Sequence, residues 1–117
     1  MGKLTTHVLD TANGCPAAGM GVALYRLAHG TPALIKRVML DHDGRGAGPL
    51  LEGIDFSPGT YRLVFDVAAY FRARGSQLEE PPFLDEVPVD FGLSTVVEHF
   101  HVPLLVSPFG YATYRGS

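Results

Sequence analysis

Two distant stretches of this chain hold most of the side chains that could do chemistry. One is Leu4-Thr5-Thr6-His7-Val8, and the other is His99-Phe100-His101 with the closing Tyr114-Arg115-Gly116-Ser117. Histidine takes up and returns a proton near neutral pH, and arginine holds a planar anion in its guanidinium fork. Chain ends normally fray, so an aromatic and an arginine in the tail mark a segment with a use. Docked beside His99 and His101, the tail would bring Arg115, Ser117 and a terminal carboxylate next to imidazoles. Taken singly, each histidine reads as a surface or hydrogen-bonded structural residue.

Period-2 alternation supplies the elements that must position these groups. Tyr61, Leu63 and Phe65 alternate with Arg62 and Val64, and Val87, Val89 and Phe91 alternate with Pro88 and Asp90. Further strands are predicted over residues 4–9, 21–27, 34–40, 96–104 and 111–114, with a short piece near Leu50. Turns fall at Asn13-Gly14, His29-Gly30, Asp43-Gly44 and Ser57-Pro58-Gly59. About eight short strands predict an all-β sandwich. Val67, Tyr70, Phe71 and Arg74 instead follow helical spacing, with Asp66 as N-cap and Gly75 as C-terminal stop. Within the strands, Thr5 and His7 share a face opposite Leu4, Thr6 and Val8, while His99 and His101 point away from the face of Phe100, Val102 and Leu104.

Other constellations are weaker. Arg45, in Asp41-His42-Asp43-Gly44-Arg45-Gly46, sits in a reversal that would present its guanidinium at a sheet end, or is an exposed turn residue. The same stretch spaces Asp41, Asp43, Gly46 and Glu52 like a calcium loop, but Arg45 stands where an oxygen ligand is needed. Gly44, Gly46 and Gly48 precede no helix, so they form no phosphate loop. A His-x-His pair could bind zinc, yet no Asp or Glu shares its strand face and the chain's one cysteine, Cys15, lies in a turn without a local base. His29 and His42 read as solvated loop residues. No nucleophile elbow or paired carboxylates appear. Histidine acid/base chemistry with arginine-assisted anion binding is what remains.

The bulk properties set the frame. With 117 residues, 46% of them hydrophobic, the chain fits a single domain over residues 1–117 with a modest core. Its net charge of −3 and nine dispersed Lys and Arg leave no footprint for nucleic acid or an anionic membrane. Met1-Gly2-Lys3 leads directly into a strand with no apolar leader, so the expected location is the cytoplasm.

The motifs together resemble one family along essentially the whole chain: the 5-hydroxyisourate hydrolases, the transthyretin-like enzymes of urate degradation. The resemblance rests on Leu4-Thr5-Thr6-His7-Val8-Leu9-Asp10, Gly14-Cys15-Pro16-Ala17, Asp43-Gly44-Arg45, Tyr70-Phe71 and the run from His101 to Ser117. Phe100, Phe109 and Ala112 depart from the tyrosines and serine common there. The resemblance implies a transthyretin-like sandwich of two four-stranded sheets with one short helix. It also implies a homotetramer with sites in clefts at the dimer-dimer interface, and no organic cofactor; the residues themselves argue against a metal. The implied reaction opens the ring of 5-hydroxyisourate to 2-oxo-4-hydroxy-4-carboxy-5-ureidoimidazoline. His7, Arg45 and His101 would be catalytic; His7, Arg45, Tyr114, Arg115 and Ser117 would contact substrate. A transthyretin-like carrier without catalysis is the alternative.

Overall fold

In the computed structural model, which describes residues 1–28 and 30–117, two four-stranded sheets face each other. In chain order the strands are β1 (Leu4–Asp10), β2 (Cys15–Pro16), β3 (Gly21–Ala28), β4 (Thr31–Met39), β5 (Gly59–Asp66), β6 (Glu86–Leu93), β7 (Phe100–Ser107) and β8 (Gly110–Thr113). One sheet runs β2-β1-β7-β8 and the other β4-β3-β5-β6. β1 and β7 pair in parallel, and the remaining pairs are antiparallel. The inward residues expected from the alternation do form the core: Leu4, Val8, Val102 and Leu104 of one sheet pack with Leu24, Tyr61, Leu63, Phe65 and Val87 of the other. Removing that apolar surface from water is the main force holding the sheets together.

The single helix, α1 (Val67–Ala73), buries Val67, Ala68, Tyr70 and Phe71. Asp66 stands at its N-cap without making a side-chain capping bond. The other end closes as expected at Gly75, whose φ of +93° suits glycine. Gly75 N–H reaches Arg72 O and Ser76 N–H reaches Phe71 O, at 2.9 and 3.0 Å, in a Schellman closure.

Several expected boundaries move. The piece near Leu50 is not a strand, because its pairing is confined to the bridge between Leu4 and Leu51. Its place in the first sheet is taken by Cys15–Pro16, read from sequence as a turn, which pairs with Leu9 and Asp10. β7 begins at Phe100 and runs to Ser107, leaving residues 96–99 outside it. His29 and its turn with Gly30 fall partly outside the described residues, since His29 is not among them. No helix among the described residues is long and apolar enough to cross a membrane.

Candidate active site

The parallel register of β1 on β7 sets Thr5 opposite His101 and His7 opposite Pro103. Along β1 the residues alternate between buried Leu4, Thr6, Val8 and Asp10 and half-buried Thr5, His7 and Leu9. Thr5 and His7 therefore flank the ring of His101 on the outward face of the sheet. Thr5 Oγ1 lies 2.8 Å from His101 Nδ1, and His7 Nδ1 lies 2.9 Å from His101 Nε2. The ring centroids are 5.1 Å apart with planes inclined by 15°. Beyond the nitrogen-nitrogen bond that spacing leaves only the two ring radii, so the imidazoles lie edge to edge rather than face to face.

Arg45 reaches the pair by a backbone route. Asp41 Oδ1 accepts the N–H groups of Asp43 and Arg45 at 2.9 and 3.1 Å, which folds the loop back on itself. Those two N–H groups hold the Asp41 carboxyl below the usual carboxylate range. Val8 N–H donates to Gly44 O at 2.9 Å, and His7 and Arg45 form an antiparallel bridge. Gly44 has φ +70°, and a Cβ there would fall 2.6 Å from Val8 O. Glycine at this position is thus what lets the loop lie against β1 and carry Arg45 to His7.

The tail closes the opposite side. Gly116 N–H donates to His101 O at 2.7 Å, and a Cβ on Gly116 would fall 2.7 Å from His101 Cδ2. Tyr114, Gly116 and Ser117 line an open cleft of about 540 Å³ together with His7, Arg45, His99 and His101. Arg115, expected to line it, does not. Its Nη2 binds Glu98 Oε1 at 3.1 Å and His99 O at 3.3 Å, and its guanidinium carbon sits 4.0 Å from the centre of the Phe100 ring. Phe100 belongs to the inward face of β7, so Arg115 turns to the other side of the strand from His101. Two lining residues, Lys3 and Thr5, were not singled out from the sequence. Thr5 shares His7's face, but its partner became visible only with the β1–β7 register.

Burial pushes the His7 imidazole below its ordinary value, and the Arg45 charge adds to that. For His101 burial again leads, followed by His7 and Arg45, while the adjacent Thr5 backbone opposes them. Both rings are accordingly neutral at neutral pH, the form that can accept a proton. His99 lies outside β7, so the His-x-His strand geometry considered for zinc does not form. The one group of three potential ligands among the described residues is the exposed Asp41, His42 and Asp43, where Asp41 Oδ1 is already committed to the loop backbone.

The chain belongs to the HIUase/transthyretin family, whose model matches residues 4–116. The 5-hydroxyisourate hydrolase of Pseudomonas aeruginosa is 54% identical over 117 residues, covering 100% of this chain and 93% of that protein. Among solved structures, an (S)-allantoin synthase superposes with a TM-score of 0.94 at 44% identity; the match covers 99% of this chain but only 44% of the synthase chain. Sea bream transthyretin in complex with thyroxine superposes at 0.87 with 28% identity, covering 97% and 94% of the two chains.

Proposed function

We propose that this protein is a 5-hydroxyisourate hydrolase, opening the substrate's six-membered ring with water to give 2-oxo-4-hydroxy-4-carboxy-5-ureidoimidazoline. The observation that carries the reading is the hydrogen-bonded His7–His101 pair, depressed in basicity and bridged to Arg45, in a cleft open to solvent. Hydrolysis needs a proton removed from the attacking water and a proton delivered to the departing ring nitrogen. Two neutral imidazoles in contact supply both operations. Arg45 orients the planar anion and stabilises charge developing on its carbonyl oxygen. Tyr114 and Ser117 bound the pocket; Arg115 acts indirectly, by fixing the tail to Glu98 and His99.

A carrier without catalysis would hold its ligand chiefly by apolar contact. This cleft presents Lys3, His7, Arg45, His99 and His101 instead, a lining suited to a polar anion. The working unit in this reading is a homotetramer in the cytoplasm, with clefts completed at the dimer-dimer interface. Tyr114, about half exposed in the single chain, lines the cleft where such a contact would cover it. This reading assigns catalysis to the side chains alone, without a metal.

The deciding experiment generates 5-hydroxyisourate with urate oxidase and follows its near-ultraviolet decay with and without this protein. Acceleration that survives exhaustive chelation is expected. Decay at the spontaneous rate with folded protein present would refute the assignment.

A further inference from the structure

We propose that Thr5 is a positioning residue: its hydroxyl accepts a hydrogen bond from His101 Nδ1–H and thereby fixes the direction of a Thr5–His101–His7 hydrogen-bond chain, leaving a lone pair on His7 Nε2 facing the cleft. The consequence for catalysis rests on the hydrolase reading above; the assignment of tautomers does not.

Three of the four ring nitrogens are engaged. Thr5 Oγ1 meets His101 Nδ1 at 2.8 Å, and His101 Nε2 meets His7 Nδ1 at 2.9 Å. Among the described residues His7 Nε2 has no partner. Each neutral imidazole carries one N–H, so the two rings must be polarised in the same sense. Either Thr5 donates and the chain ends in an N–H at His7 Nε2, or Thr5 accepts and the chain ends there in a lone pair.

Arg45 decides between them. Its guanidinium offers only donors and a positive charge, and it lies across a backbone bridge from His7. A lone pair directed into that field is favoured, and an N–H dipole is opposed. The other charged or titratable groups lining the cleft are Lys3, His99, Tyr114 and the Ser117 terminus; the terminal carboxylate makes no ion pair with Arg45 or with either imidazole among the described residues, so it does not reverse the preference. Thr5 as acceptor also suits both protonation states of His101, because an imidazolium retains its Nδ1–H. A donating Thr5 would have to turn its hydroxyl each time that ring became charged.

The proton path then balances. As the water oxygen bonds to the ring carbonyl carbon, its O–H breaks and the proton goes to His7 Nε2. The His7 Nδ1 proton passes to His101 Nε2, leaving His101 an imidazolium held by Thr5 Oγ1. When the ring C–N bond breaks, the sequence reverses and the proton moves to the departing nitrogen. Storing the charge on His101 leaves Arg45 facing a neutral His7.

Imidazole 15N spectra of the 15N-histidine-labelled protein, assigned with His7→Gln and His101→Gln, read the tautomers without substrate. Wild type is expected to show Nδ1–H on both rings. Thr5→Val, which keeps the branched shape but removes the acceptor, should shift His101 toward the Nε2–H form, and Thr5→Ser should restore wild type. In the urate oxidase assay Thr5→Val should lose about 10²-fold in kcat with KM changed little, the scale expected for a displaced acid/base group, and Thr5→Ser should recover most of it. Nε2–H on His101 in wild type, or wild-type tautomers in Thr5→Val, would overturn the proposal. Correct tautomers in a protein inactive toward 5-hydroxyisourate would support the positioning role and defeat only the hydrolase reading.

Discussion

The two faces of β1 treat polar groups in opposite ways. On the inward face Asp10 is fully buried, yet every demand it makes is met within the chain. Asn13 donates to it twice, at 2.9 Å from its backbone and 2.7 Å from its side chain, and Tyr70 O–H donates at 2.8 Å. Burial pushes the Asp10 carboxyl up, but the hydrogen bonds from Asn13, Tyr70 and the Ala12 backbone outweigh it and leave the pKa below the ordinary value. On the outward face, His7 is half buried with a free nitrogen, and Arg45 beside it has no carboxylate partner among the described residues. A satisfied buried cluster locks β1 to the helix. An unsatisfied, half-buried one is chemistry waiting for a ligand.

The sharpest break of that contrast removes an imidazole. His101→Ala and His7→Ala should each lower turnover by roughly 10²–10⁴-fold, the range for losing positioned acid/base assistance, while thermal midpoints move little because neither side chain belongs to the core. Near-normal turnover in either variant would return that histidine to a structural role. The pH profile sharpens the same point. Both imidazole pKa values lie below 6.5 in the folded protein, so the active neutral form persists through pH 6.5 and is lost only as pH falls further through the lowered values. A rate that already declines well above pH 6.5 would contradict it.

Deleting Gly116 and Ser117 should cost less, on the order of 10²-fold, because it loosens the ring of His101 without removing it. Stability should change little, since two small, largely solvent-facing residues bury almost no apolar area. Thermal midpoint, oligomer size and turnover must be measured together. Loss of turnover in proportion to loss of assembly would assign the tail to assembly instead.

What was legible in the sequence follows the same division. Alternation fixes which face a residue takes once a strand is recognised, so the outward placement of His7 and His101 and the inward placement of Phe65 and Val102 could be read directly. Cys15–Pro16 is too short for any period to show, and the apolar Leu50-Leu51 pair imitated a strand where only a bridge exists. Thr5 meeting His101 depends on the register of two strands far apart in the chain, which neither strand encodes alone. The direction of Arg115 was equally hidden, because the tail has no periodic pattern and its partner Glu98 sits in a loop read as strand. Family resemblance supplied the grouping of His7, Arg45 and His101; their mutual geometry required the fold.

The smallest expected effect tests the buried side of the comparison. Tyr70→Phe keeps the ring, which is packed at 5.0 Å from that of Phe71, and removes only the hydroxyl that binds Asp10. Asp10 retains both Asn13 donors, so the cost should be about 1–3 kcal/mol rather than that of an abandoned charge. Activity should stay within about twofold in kcat, because the hydroxyl binds Asp10 on the opposite face of β1 from His7 and the two share no hydrogen-bond partner. The pH dependence carries a definite sign. A carboxyl whose folded pKa is depressed contributes stability that is present above its unfolded value, here 3.8, and lost as pH falls through the folded one. Removing the Tyr70 bond reduces that depression, so the stability gap between wild type and Tyr70→Phe should be full at neutral pH and narrow in acid. Denaturant unfolding at pH 7 and at pH 3, with turnover measured alongside, provides the check. A gap that stays constant across that range would mean the hydroxyl matters for packing and not for the Asp10 charge, and a large fall in kcat would show that the two faces of β1 are coupled after all.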